Sequence, residues 1–122
     1  MPAPPRVLVL EDEPIIAMML RDWLTELGCE PVGPARSVAD AIALIDGAHL
    51  DGAILDVSLG NQDCSPVAEM LRKEGVPFVL ASGHAMNGLP PSLGAVLTLA
   101  KPYDFASMRS VVTKMLNGRA PL

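Results

Sequence analysis

Short apolar runs that end at polar residues are the feature that most limits how this chain can fold. The runs cover residues 7–10, 53–55, 79–81 and 96–100, and the residues that follow them are Glu11, Asp56, Ser82 and Lys101. If the runs are parallel strands of one sheet, all four polar residues lie at the carboxyl edge, where open α/β sheets bind ligands. Asp12 adds a third carboxylate to this edge. Such a group of side chains suits a divalent cation beside a phosphoryl group.

The whole chain alternates between predicted strands and helices. Strands are predicted at residues 6–10, 29–33, 51–56, 77–81 and 95–99. Pro31 and Pro34 place the second strand at an edge of the sheet, because proline cannot donate to a strand ladder. This alternation predicts βαβ units with a parallel sheet in one α/β domain.

The predicted helices have recognisable ends and apolar faces. The first begins at Pro14 and ends at Gly28, and its apolar residues include Ile15 at helical spacing, with Met18 also assigned to packing. Further helices are predicted after Ser37, over residues 65–75, and after Asp104, and Ser37 resembles an N-cap. The last of these helices has an apolar stripe of Met108, Val111, Val112 and Met115. Residues 84–94 are rich in glycine and proline, so we expect at most one or two helical turns and high mobility there.

Length and composition exclude several classes of protein. A chain of 122 residues fits one domain, which we place at residues 6–118 between tails at 1–5 and 119–122. The net charge is −5 with scattered basic residues, so we expect no nucleic-acid partner. We expect no membrane partner and a cytoplasmic location, since no apolar stretch approaches ~20 residues and no signal peptide is present. Cys29 and Cys64 are predicted to be buried free thiols.

The polar edge has the groups needed to phosphorylate an aspartate. Asp12 and Asp56 could ligate Mg²⁺ together with the backbone carbonyl of Ser58, while Glu11 could hold a metal-bound water. Asp56 would be the nucleophile and form an acyl phosphate. The Lys101 ammonium and the Ser82 hydroxyl would contact phosphoryl oxygens. Any one of these residues could be a helix cap or a surface charge, but their occurrence at separate strand ends favours a common site.

At this point the chain resembles the receiver domains of two-component response regulators over almost its whole length. The residues that carry the resemblance are 7–13, Ile54-Leu55-Asp56, Ala81-Ser82-Gly83 and Lys101-Pro102. The resemblance implies a flavodoxin-like (βα)5 three-layer sandwich with strand order 2-1-3-4-5 and a short or irregular fourth helix. It also implies that Asp56 is the phospho-acceptor, that Glu11 and Asp12 are the acidic pair for Mg²⁺, and that the Lys101-Pro102 peptide is cis.

Some residues depart from the usual receiver pattern. Thr98 stands where most receivers have a switch aromatic, and Gly60 stands where most have proline. Residues 77–84 resemble a subgroup with a Phe-Ala-Thr-Gly-Tyr signature that lacks this aromatic, although Leu80, Ser82 and His84 differ from the signature. Members of that subgroup are similar to proteins that work with HWE-type or related histidine kinases in alphaproteobacteria. We therefore hypothesise that ordering of residues 84–94 replaces rotation of the aromatic as the response to phosphorylation.

The sequence thus predicts a single-domain receiver that accepts a phosphoryl group from a histidine kinase or phosphotransfer protein and then changes its binding to another protein. It would be no enzyme beyond catalysing its own phosphorylation and dephosphorylation. One alternative is a receiver-like interaction module that acts without phosphorylation. Another is an aspartyl-phosphate hydrolase of the haloacid-dehalogenase type, which needs a second acid at the position of Ser58.

Overall fold

Five parallel strands form one sheet, in the order 2-1-3-4-5 that the resemblance to receiver domains implied. The computed structural model describes residues 3–47, 49–57, 64–82, 97–100 and 103–117. The strands are β1 (Arg6–Leu10), β2 (Glu30–Ala35), β3 (Gly52–Asp56), β4 (Phe78–Ser82) and β5 (Leu97–Ala100). The described residues form the helices α1 (Pro14–Glu26), α2 (Val38–Gly47), α3 (Ser65–Lys73) and α4 (Phe105–Asn117).

An apolar core lies on each face of the sheet. Consecutive residues of β1 alternate between the two cores, because successive side chains of a strand point to opposite faces. Leu8 and Leu10 pack with residues of α2 and α3, whereas Val7 and Val9 pack with residues of α1 and α4. The continuous apolar run of β1 is therefore buried on both faces, as in other parallel sheets covered by helices.

Local hydrogen bonds explain where two of the helices begin. The Ser37 hydroxyl accepts a hydrogen bond from the Asp40 N–H at 3.1 Å, just before α2. The Asp104 carboxylate accepts one from the Ser107 N–H at 2.7 Å, just before α4. Both contacts are N-caps that satisfy backbone donors in the first turn of a helix. The predicted stripe of α4 is buried.

Three details of α1 and β2 differ from the sequence prediction. The second strand continues past Gly33 to Ala35, which an edge strand tolerates despite Pro34. Ile15 is 80% exposed and Met18 is 53% exposed, so their assignment to packing was wrong. The buried face of α1 runs through other positions (Ala17, Leu20 and Leu24), so residues 15 and 18 point away from the sheet.

The two cysteines lie in the apolar cores, as the sequence predicted. Cys29 and Cys64 are free and buried, and they belong to different cores. Burial raises the pKa of the Cys29 thiol, and the nearby charge of Asp51 adds to the effect. Trp23 of α1 meets Phe105 of α4 edge to face, with ring centroids 5.7 Å apart.

Several sequence predictions fall outside the described residues. These are the irregular segment 84–94, the Lys101-Pro102 peptide and the tail at 119–122. None of the helices in the part of the chain that the structure describes is long and apolar enough to cross a membrane.

Candidate functional site

The register of the sheet brings the acidic residues to one edge. Leu10 of β1 lies opposite Leu55 of β3, so Glu11 and Asp56 are the next residues along two neighbouring strands. Asp56 in turn lies opposite Ala81 of β4, one residue before Ser82. The backbone of Ser82 lies opposite that of Ala100 in β5. The carboxyl ends of these four strands therefore meet at one edge, as predicted.

Three carboxylates converge at this edge. Glu11, Asp12 and Asp56 each offer an oxygen, and these oxygens all lie within 4.8 Å of one another. Glu11 and Asp56 are each 1% exposed, while Asp12 is partly exposed. Like charges at this separation repel, and burial adds a desolvation cost. A cation that enters from the side of Asp12 would lower both costs.

Backbone hydrogen bonds hold the two buried acids in place. The Glu11 N–H donates to the Ala35 carbonyl at 3.0 Å, so the extra residues of β2 support the chain as it leaves β1. One oxygen of the Glu11 carboxylate accepts a hydrogen bond from the Glu13 N–H at 3.2 Å. The Val57 N–H donates to the Ala81 carbonyl at 2.9 Å, which extends strand pairing just past Asp56.

Tyr103 is a member of this site that the sequence reasoning did not select. Its hydroxyl oxygen is buried, and the residue lies near the charges of Glu11 and Asp56. Burial raises the pKa of Tyr103 above its ordinary value, and the charges of Glu11 and Asp56 raise it further. The sequence contains one signal that could have identified Tyr103. It is an aromatic residue with a hydroxyl group, it follows Lys101 by two positions, and β5 ends at the same edge of the sheet as the acids.

The structure thus brings together Glu11, Asp12 and Asp56 of the predicted site. Ser82 ends β4 at the expected edge, and nothing is described of its side chain. Ser58 and Lys101 lie outside the described residues, so their roles stay predictions. Thr98 lies in β5 opposite Leu80 and is exposed.

The donor set fits magnesium. Mg²⁺ prefers oxygen ligands and is commonly bound through one or two carboxylates while it keeps several waters. Two buried carboxylates beside a partly exposed third provide such ligands and leave one side open to solvent. The described residues of the cluster include neither histidine nor cysteine, which zinc would favour.

The fold and the acidic edge define a signalling domain, and the sequence comparison agrees. The chain belongs to the response regulator receiver domain family of two-component systems, with residues 7–113 matching that family. Receiver domains bind Mg²⁺ at an acidic pocket and act in signalling rather than as classical enzymes.

Individual relatives are bacterial regulators. The transcriptional regulatory protein PdtaR of Mycobacterium tuberculosis is 31% identical over 109 residues, which cover 86% of this chain and 53% of PdtaR. The phyllosphere-induced regulator PhyR of Methylorubrum extorquens is 28% identical over 116 residues, which cover 90% of this chain and 43% of PhyR. The chain thus spans about half the length of these curated relatives.

A solved structure of similar size also matches. The solution structure of SdrG from Sphingomonas melonis Fr1 is 38% identical, with a TM-score of 0.82 and coverage of 95% of this chain and 99% of that chain. A second SdrG structure, of its BeF3-activated conformation, matches with a TM-score of 0.80 and the same coverage.

Proposed function

We propose that this receiver domain accepts a phosphoryl group on Asp56 from a histidine kinase or a phosphotransfer protein, in a reaction that depends on Mg²⁺. The observation that carries the proposal is the cluster of Glu11, Asp12 and Asp56, whose carboxylate oxygens lie within 4.8 Å of one another. A buried cluster of like charges is costly without a cation, so its presence in a receiver fold favours a functional role.

Asp56 is the nucleophile of the proposed transfer. One of its carboxylate oxygens attacks the phosphorus atom of a phosphohistidine, and a P–O bond forms as the P–N bond breaks. The electron pair of the broken bond returns to the imidazole nitrogen, and the histidine leaves as a neutral ring whose other nitrogen carries the proton. Hydrolysis of the acyl phosphate by water later restores the carboxylate and releases inorganic phosphate. In both steps the protein catalyses only a reaction of its own side chain.

Other site residues would hold the metal and the phosphoryl group. Asp12, Asp56 and the Ser58 carbonyl would bind Mg²⁺ directly, and Glu11 would accept a hydrogen bond from a metal-bound water. When bound, the metal supplies positive charge beside the phosphoryl oxygens. Lys101 and Ser82 would contact the remaining phosphoryl oxygens through an ammonium group and a hydroxyl.

The first turns of α1 offer a surface for the phosphoryl donor. Ile15 and Met18 are exposed, and Met18 lines a cleft of about 180 Å³ together with Glu11 and Arg21. Residues 15 and 18 are neighbours on the surface of α1, and it is contiguous apolar surface that marks interaction sites. Since Glu11 belongs to both the cleft and the acidic cluster, a donor that packs against α1 would lie beside the site.

The proposed output is a change in binding to another protein in the cytoplasm. SdrG, which this chain resembles, has been solved in a BeF3-activated conformation. This supports a conformational response in a receiver of the same size. Neither nucleic acid nor membrane is proposed as a partner, because the net charge is −5 and the nine basic residues are scattered in sequence.

A second candidate is a receiver-like interaction module that acts without phosphorylation. The observation that favours it is Thr98, which is exposed on β5 at the position where the family usually has its switch aromatic. A threonine side chain is too small to move between buried and exposed positions with the same effect on packing.

Intact-mass measurement after incubation with acetyl phosphate and Mg²⁺ separates the two candidates. We expect one added phosphoryl group in the wild type and none in Asp56→Asn. Asp46→Asn, which changes the same chemical group at an exposed position of α2, is the matched control and should still be labelled. A folded wild-type protein that binds Mg²⁺ yet gains no phosphoryl mass would contradict phospho-acceptor function and favour the interaction module.

A further inference from the structure

The strand β2 contains an extra residue just beside the acidic site. Leu8 pairs with Val32 and Leu10 pairs with Ala35, so β1 has one residue between these pairs and β2 has two. Two residues opposite one form a β-bulge, which bends the strand that carries it. Bulges are over-represented next to active sites, where they redirect nearby groups.

The bulge brings the Ala35 carbonyl to the first acid of the site. The ladder between the two strands includes the Glu30 N–H, which donates to the Pro5 carbonyl at 2.7 Å. Parallel ladders are evenly spaced, so a regular continuation would put Pro34 at the step beside Glu11, although proline has no N–H for a ladder. Ala35 takes this step instead, and its carbonyl accepts a hydrogen bond from the Glu11 N–H at 3.0 Å.

Gly33 is the residue that allows the bulge. Its φ is +95°, in the left-handed region that residues with a side chain rarely adopt. A Cβ atom here would lie 2.6 Å from the Ala35 nitrogen and 3.3 Å from the Val9 carbonyl oxygen. Both are backbone atoms, so no side-chain rotation can relieve the contact. Any other residue would therefore displace the bulge, and Ala35 with it.

The anchor at the Glu11 N–H fixes where the chain leaves the sheet. Successive side chains of a regular strand point to opposite faces. Glu11 and Asp12 nevertheless both offer an oxygen to the cluster of carboxylates within 4.8 Å of one another. The chain has to leave strand geometry at this point for both acids to reach the cluster, and the bond to Ala35 holds the backbone there.

We infer that Gly33 is a positioning residue of the magnesium site, which acts through the Ala35 carbonyl to place Glu11 and Asp12. This inference rests on the proposed function and adds a residue to it. Gly33 contacts neither the metal nor the phosphoryl group in this role. Groups that orient metal ligands in this way tune metal affinity.

The test compares Mg²⁺ binding by the wild type and Gly33→Ala. Binding is measured by displacement of Mn²⁺, with free Mn²⁺ followed by electron paramagnetic resonance. We expect the affinity of Gly33→Ala for Mg²⁺ to fall by about tenfold. In labelling by acetyl phosphate, the half-saturating Mg²⁺ concentration should rise by a similar factor, while the rate at saturating Mg²⁺ stays within about twofold of the wild type.

Gly75→Ala is the matched control. Gly75 also has a positive φ, of +73°, but in the described part of the chain its Cβ would meet nothing within 4 Å. It lies between α3 and β4, at the opposite edge of the sheet from the acids. We expect Gly75→Ala to lower stability in urea without changing Mg²⁺ affinity. An equal loss of affinity in both variants, or unchanged affinity in Gly33→Ala, would overturn the inference and leave the proposed function standing.

A measurement on the wild type tests the anchor even if Gly33→Ala does not fold. Nuclear magnetic resonance detects scalar coupling across a hydrogen bond, here between the Glu11 nitrogen and the Ala35 carbonyl carbon. We expect this coupling both without metal and in saturating Mg²⁺. Its absence, or its loss when Mg²⁺ is added, would overturn the inference alone. A wild-type protein that binds no Mg²⁺ would overturn the proposed function as well.

Discussion

Glu11 and Asp56 bring carboxylate oxygens within 4.8 Å of each other although each side chain is 1% exposed. They follow Leu10 and Leu55, which are register partners in β1 and β3, so strand pairing sets their separation. The protein without metal therefore keeps the two acids together at a cost in stability. Asp12 adds a third carboxylate, and it is the member of the cluster that is partly exposed.

Replacing Asp12 should stabilise the protein without metal and weaken metal binding. We expect Asp12→Asn to raise the free energy of unfolding by about 1 kcal/mol in EDTA, through relief of like-charge crowding. In saturating Mg²⁺ the advantage should disappear or reverse, because ligand binding stabilises the wild type more. Urea unfolding under both conditions measures this.

Asp22→Asn is the control for this prediction, because it makes the same change at an exposed position of α1. The difference in free energy of unfolding between Asp22→Asn and the wild type should be the same with and without Mg²⁺. A lower stability of Asp12→Asn in EDTA would contradict the prediction and show that Asp12 mainly supports the start of α1.

Polar replacements on α1 should separate kinase recognition from chemistry at Asp56. We expect Ile15→Gln and Met18→Gln each to slow phosphoryl transfer from the fastest donor in a panel of phosphorylated histidine kinases by about fivefold or more, since the few side chains that dominate an interface cost more than about 1 kcal/mol each when they are removed. Labelling by acetyl phosphate should not change. Thr25→Gln, at another exposed position of α1, should leave both rates at the wild-type value. Equal slowing of both reactions by the α1 variants would argue against a docking role.

The cap of α4 should make stability depend on pH. Hydrogen bonds from the Ser107 N–H and hydroxyl, at 2.7 and 3.0 Å, hold the pKa of Asp104 below its ordinary value. A carboxylate with a lowered folded-state pKa contributes stability above its unfolded pKa and loses it as the pH falls through the folded value. We therefore expect Asp104→Asn to lower Tm at pH 7, by an amount that shrinks as the pH falls below about 4.

Thermal melts of the wild type and Asp104→Asn between neutral and acidic pH measure this dependence. Asp46→Asn removes the same charge from another helix and controls for net charge. A Tm difference for Asp104→Asn that stays constant with pH would mean that the charge of the cap contributes nothing.

A side chain at Gly52 should force Met115 to move, because this residue of α4 packs directly on the glycine. A Cβ atom at Gly52 would lie 2.5 Å from Met115 Cε and 2.9 Å from its sulfur. We expect Gly52→Ala to lower the free energy of unfolding by about 1 kcal/mol, the low end of the cost of overpacking, because the atoms that it meets are the end of the flexible Met115 side chain. Addition of Met115→Leu should restore part of the loss. Gly47→Ala is the control, since its Cβ would meet nothing within 4 Å, and it should be neutral or stabilising by up to about 1 kcal/mol.

The strands and the acidic cluster could be predicted because each depends on local sequence. A run such as residues 7–10 is apolar at every position, which predicts a strand buried on both faces. Once the strands are parallel, the residues that follow them must share one edge. The positions of Glu11, Asp12 and Asp56 therefore follow from strand order and register.

The remaining features depend on how helices pack, which the sequence pattern does not give. The buried face of α1 runs through Ala17, Leu20 and Leu24, so apolar Ile15 and Met18 are left exposed. Tyr103 lies near the acids because its side chain packs against the core under α4. Helical spacing alone does not distinguish among these orientations.

The alternation of β1 side chains between the two cores affects how the domain can open. Leu8 and Leu10 belong to one core and Val7 and Val9 to the other, so removal of either helical layer would uncover the same strand. Backbone amides of β1 should therefore exchange with deuterium only through global unfolding. The strand that leads to Glu11 is then the least mobile part of the site, and any displacement on phosphorylation has to arise at its other margins.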